Sequence, residues 1–189
     1  MRVSKKHDVL ERLESAPVIA AIKDKHFEKA LQSPSEILFL FGAGIMTVRD
    51  RVERAHAAGK FIFVHIDLAE GISKDKSGIF FLAHCGVDGI ISTKTSAIRA
   101  AKECGLLTIQ RFFAYDSQGV ESIDDILAGS SPDIIEILPG VIGKIIERFA
   151  GGAIPLIAGG LVETKQEVTT ALGQGAIAVS TGKEELWYL

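Results

Sequence analysis

Eight apolar runs rich in Val, Ile and Phe, charged amphipathic segments between them, and glycines where those segments should stop predict an α/β chain of repeated strand–helix units. Eight such units predict a TIM-barrel-like (β/α)8 parallel barrel. The expected layout is one compact domain over residues 1–189, with a short N-terminal helix over 1–16 and the barrel over 17–189. At 189 residues the chain is shorter than the about 200–250 usual for that fold, so its loops and helices must be short. An open doubly wound sheet is the competing architecture. No G-x-G-x-x-G follows the first strand, which weakens its dinucleotide-binding version.

The opening stretch, MRVSKKHDVLERLES, places Val9, Leu10 and Leu13 at the spacing of an amphipathic helix lying on the domain. It is charged and lacks the apolar centre of a secretory signal, so a cytoplasmic location is expected. Strands are expected at PVIAAI (17–22), EILFLF (36–41), KFIFVHID (60–67), DGIIS (88–92), LLTIQRF (106–112), DIIEIL (133–138), IPLIA (154–158) and AIAVS (176–180). The helices between them include residues 49–58, 94–103, 142–149 and 165–172. Gly59, Gly105 and Gly173 stand where such helices should end. Thr164-Lys165-Gln166-Glu167 reads as a capping box, and KEELW as a short closing helix.

Composition narrows the function. A hydrophobic fraction of 47% and a mean hydropathy of +0.26 suit a compact domain, and no apolar run approaches the ~18 residues of a membrane span. Cys85 and Cys104 form no metal-ligand spacing and read as small buried hydrophobes. A net charge of −3 and a pI near 6.0 give no global nucleic-acid footprint. Arg49, Arg51 and Arg54 alternate with Asp50 and Glu53, as on a solvated helix face. The GxxG strings at 86–89 and 140–143 lack the pattern of an RNA-binding KH domain around them.

In a barrel, alternate strand residues point inward, and chemistry gathers at the C-terminal ends of the strands. In KFIFVHID, Phe61, Phe63, His65 and Asp67 share one face, aromatic below and polar above, while Ile62, Val64 and Ile66 should pack on the helices. Lys23, Ser92-Thr93-Lys94 and Gln110-Arg111 end other strands. Strand two, EILFLF, offers no chemistry. Glu136 interrupts an interior run, and a buried carboxylate needs a partner: Lys23, Lys94, Arg111 or a ligand hydroxyl. His65 with Asp67 and Glu70 allows a polar-ligand or Mg²⁺ site, Asp67 and Glu70 being the metal candidates. Lys23 or Lys94 could form a Schiff base, though neither shows a general base beside it. Gly159-Gly160 after strand seven and Ser180-Thr181-Gly182 after strand eight match the loops with which barrels bind phosphate. A small phosphorylated polyol fits that reading.

The strings HIDLAEGISKDKSG (65–78), DGIISTKTSAIRAAKECGLLTIQRFFAYDS (88–117), PDIIEILPGVI (132–142) and IPLIAGGLVETKQEVTTALGQGAIAVST (154–181), with the closing LW, resemble the glycerol uptake operon antiterminator family. The resemblance runs from about Pro17 to Trp187 and rests on the strings in combination. It implies a cytoplasmic regulator of glycerol-metabolism genes with a TIM-barrel-like fold. Such a regulator responds to glycerol 3-phosphate, binds leader mRNA and lets transcription pass a terminator. On this chain the phosphate would sit on Gly159, Gly160, Ser180 and Thr181, with Lys23, His65, Asp67, Gln110 and Glu136 facing the glycerol moiety. No catalytic residue or cofactor is required. The alternative is a barrel isomerase, lyase or phosphodiesterase acting on a phosphorylated polyol or sugar, with Glu136 or His65 as general base.

Overall fold

The computed structural model describes residues 2–189. Eight parallel strands close in chain order: β1 (Val18–Lys23), β2 (Ile37–Phe41), β3 (Phe61–His65), β4 (Gly89–Ser92), β5 (Leu107–Phe113), β6 (Ile134–Leu138), β7 (Leu156–Gly159) and β8 (Ala178–Thr181), with β8 pairing back to β1. Each lies within two residues of its expected bounds at both ends. The open-sheet alternative is thereby excluded. Helix α1 (Arg2–Ser15) precedes the barrel. The outer helices are α2 (Phe27–Gln32), α3 (Val48–Ala57), α4 (Lys76–His84), α5 (Thr95–Glu103), α6 (Ser117–Ser130), α7 (Gly143–Ala150) and α8 (Lys165–Gly173). A 3₁₀ segment, Glu184–Tyr188, takes the place of the helix after β8. Short helices reconcile eight units with so short a chain.

Strand alternation divides the apolar residues into two clusters. Ile19, Phe39, Phe63, Ile91, Ile109, Ile134 and Ile157 fill the barrel interior. Ile22, Leu40, Ile62, Val64, Ile66 and Ile135 belong to the layer between strands and helices. Within the third strand Phe61 and Phe63 therefore face the interior and Ile62 and Val64 the helices, while Asp67 lies past its end in a 3₁₀ segment.

Helix α1 does more than lie on the domain. Its Val9 and Leu13 are buried in the interior cluster, and both belong with residues from the lower part of the barrel. Arg2 donates to Asp133 at 2.6 Å and Lys5 to the buried Asp88 at 2.9 Å, which ties the helix to the starts of β6 and β4. This plug closes the N-terminal end and leaves the C-terminal mouth as the open one.

The helix stops follow the glycines with one correction. Gly59 and Gly105 have φ of +73° and +76°, the left-handed backbone that glycine adopts without strain. Gly173 is the last residue of α8, and the left-handed position falls on Gly175, at φ +99°. The Thr164–Glu167 capping box forms in both directions.

Candidate functional site

The mouth is built around one buried ion pair. Glu136 on β6 points into the barrel with no solvent exposure, beside Arg111, its register neighbour on β5. Arg111 Nε donates to Glu136 Oε2 at 2.7 Å, and Ser180 Oγ donates to Glu136 Oε1 at 2.5 Å. Both carboxylate oxygens are thus satisfied, as a charge in a low-dielectric interior requires. Among the described residues, Nε is the only part of the Arg111 guanidinium with a protein acceptor. Its two Nη groups are left for the cavity above.

That cavity measures about 480 Å³ and is lined by Arg111, Glu136, Gly160, Ser180, Thr181 and Lys183, among others. The β7 and β8 loops forming its wall are braced from within. Thr181 Oγ1 donates to the Val162 carbonyl at 2.8 Å and accepts from the Lys183 amide at 3.1 Å. Trp187 Nε1 donates to the Thr181 carbonyl at 2.9 Å, which anchors the closing 3₁₀ segment beneath the loop. Gly160 and Leu161 both adopt left-handed backbone, with φ of 72° and 60°. For a leucine that conformation is strained, and such strain concentrates at ligand sites.

The glycine pair has two separate explanations. A Cβ on Gly159 would lie 2.5 Å from Glu136 Oε1 and 2.6 Å from Ser180 Oγ. What approaches Gly159 so closely is the protein's own carboxylate, and this residue lies below the cavity wall. Gly160 does line the cavity, and its left-handed turn places the loop over the mouth.

The residues expected to face glycerol scatter. Glu136 lines the cavity. Lys23 lines a neighbouring one, with Gly42, Leu68 and Glu70. His65 is buried in the mouth against Phe41, with ring centroids 5.5 Å apart, and its Nδ1 has no partner among the described residues. Burial, together with the nearby Arg111 charge, lowers its pKa to about 4, so it is neutral at pH 7.

Two positions need correction. Asp67 is committed to the protein: its carboxylate accepts from Ser92 Oγ, the Thr93 amide and Thr93 Oγ1 at 2.8, 2.8 and 3.0 Å. Burial alone would raise its pKa, but these bonds outweigh it and the net shift is downward. Asp67 is a brace between the ends of β3 and β4. Gln110 faces away from the barrel interior, its amide reaching Thr95 Oγ1 on α5 at 3.3 Å. Alternation along β5 puts Leu107, Ile109 and Arg111 inward and Thr108 and Gln110 outward, so Arg111 occupies the position expected of Gln110. The metal candidates do not gather either. Asp67 has its oxygens engaged, and the described residues contain no group of three His, Cys, Asp or Glu side chains able to hold a metal ion.

The sequence reading also overlooked Phe41 and Lys183. Phe41 ends the strand expected to offer no chemistry, yet Arg111 Cζ stacks 4.9 Å from its ring centroid. Inward parity with Phe39 was the available signal. Lys183 lines the cavity and pairs with Glu163 at 3.5 Å.

A cavity at the β7 and β8 loops of a closed barrel is shared by many proteins, so sequence must decide the family. The family model described as "Glycerol-3-phosphate responsive antiterminator" matches residues 18–187. The chain belongs to the glycerol-3-phosphate responsive antiterminator family. Within this family it is similar to the glycerol uptake operon antiterminator regulatory protein of Listeria monocytogenes, whose crystal structure superposes with a TM-score of 0.85 at 36% identity, over 90% of this chain and 94% of that one. A glycerol uptake operon antiterminator-related protein from Thermotoga maritima gives 0.81 at 30% identity, over 90% and 96%. The uncharacterized protein YgcP of Escherichia coli K12 is 39% identical over 187 residues, covering 96% of both chains. The antiterminator match spans the whole barrel and both loops of the cavity. No helix among the described residues is long and apolar enough to cross a membrane.

Proposed function

We propose that the protein is a transcription antitermination regulator of glycerol uptake and metabolism genes, with glycerol 3-phosphate as its effector and leader mRNA as its target. The observation that carries the effector half is the Arg111 guanidinium, locked by Glu136 on one edge and open to the cavity on the other. A guanidinium fork matches phosphate geometry, and a fixed fork loses little entropy on binding. The backbones of Gly160 and of the Ser180–Thr181 loop close around the phosphate. Gly159 acts indirectly, by giving Glu136 room. Glu136 accepts from Arg111 and Ser180 within the protein, so its carboxylate shapes the site as a fixed, charge-paired group rather than as a free general base. A carboxylate held in this way favours binding without turnover over an enzyme that uses Glu136 as its base. No metal is required, and Mg²⁺ plays no part in the proposal.

Effector control requires the ligand to prefer one of two states, with a coupling of ~1–3 kcal/mol. RNA recognition rests on family membership. The test is a gel shift of the glycerol-operon leader RNA with and without glycerol 3-phosphate. An RNA complex whose midpoint moves about fivefold or more with the effector is expected. A leader-RNA midpoint that saturating glycerol 3-phosphate leaves unmoved would contradict the regulator.

A further inference from the structure

The mouth holds a second compartment of about 450 Å³, lined by Lys23, Gly42, Leu68 and Glu70, and it shares Phe41 with the Arg111 cavity. Phe41 stands on β2, three strands round the barrel from β5, yet its ring reaches across to Arg111 at 4.9 Å. His65 packs against it at 5.5 Å. A ring held by two groups is a wall between the compartments. On the far side, neither Lys23 nor Glu70 forms a side-chain ion pair among the described residues. Charged groups of both signs at the edge of that compartment suit the hydroxyls of an elongated ligand.

We propose that Phe41 sets the length of ligand the mouth accepts. It confines a phosphate ester to the Arg111 side and walls off the Lys23–Glu70 compartment from a second polar head. This inference rests on reading the Arg111 cavity as a phosphate-ester site. Removing the ring joins the two compartments, so a longer polyol phosphate can anchor on Arg111 and reach Lys23.

The test titrates inorganic phosphate, glycerol 3-phosphate and sorbitol 6-phosphate into the native protein, Phe41→Ala, Phe41→Leu and the Phe41→Ala, Lys23→Met double variant. Lost stacking on Arg111 weakens all phosphates alike, so affinity for sorbitol 6-phosphate is read relative to inorganic phosphate. That ratio should rise about tenfold or more in Phe41→Ala, the scale of a pocket's steric discrimination. It should rise less in Phe41→Leu and fall back in the double variant. If Phe41→Ala does not fold, the Phe41→Leu ratio decides alone. An unchanged ratio in folded variants overturns the role of Phe41 while leaving the effector reading standing. A native protein that binds sorbitol 6-phosphate as well as glycerol 3-phosphate does the same. A native protein that binds none of the three overturns both.

Discussion

Glu136 organises the mouth of the barrel through three neighbours at once. Its carboxylate fixes Arg111, accepts from Ser180 and occupies the space that a side chain on Gly159 would need. Gly159→Ala should therefore cost about 1–3 kcal/mol, the usual penalty for overpacking, read as a lower urea midpoint at constant slope. His65 supplies a pH signature. Its pKa is about 4 in the fold and ~6.5 when unfolded, so between those values the unfolded chain binds a proton the native state refuses. Stability is flat in this group's titration above pH 6.5 and falls as pH drops from there to 4, by on the order of 3 kcal/mol. Urea melts of the native protein and a His65→Gln variant across that window check it, because only the native protein should show this component. At this scale the sequence was partly legible. An acidic residue within Ile134-Ile135-Glu136-Ile137-Leu138 announces a buried, partnered charge, but three basic candidates could have met it. Only the strand register, which pairs Arg111 with Glu136, selects one.

The elements were easier to foresee than the direction of their side chains. Apolar runs and turn residues place every strand within two residues, because strands of a parallel barrel are buried on both faces and stand out from their charged connections. That same burial erases alternation in β5, where Thr108, Gln110 and Arg111 are all buried and polarity no longer marks the inner face. The strand-end position of Gln110 therefore does not fix which face its side chain takes. Asp67 was misjudged because β3 ends at His65 and the chain turns into a 3₁₀ segment, so strand parity no longer applies. Helix α1 shows the converse. Its amphipathic spacing was plain, but its role as the plug of the barrel depends on contacts with residues far along the chain. Leu13 is 1% exposed within that plug, so Leu13→Ala should cost about 2–4 kcal/mol in urea denaturation. A loss below 0.5 kcal/mol would mean the helix only rests on the barrel.

Across the whole molecule the two ends of the barrel have different tasks. The N-terminal end is sealed by α1 and is apolar within, while the C-terminal end keeps its charges around an opening. In this architecture the C-terminal end is the usual place for recognition and the N-terminal end for stability. If the protein is the proposed regulator, its Arg111 cavity binds glycerol 3-phosphate as an intact effector. The most direct measurement is a calorimetric titration of the native protein with glycerol 3-phosphate, glycerol and inorganic phosphate, followed by a check of the mixture for products. Saturable binding of the ester in preference to both fragments is expected, with the ester recovered unchanged. Failure to bind it, or its conversion to a product, would mean that the protein is not a glycerol 3-phosphate sensor.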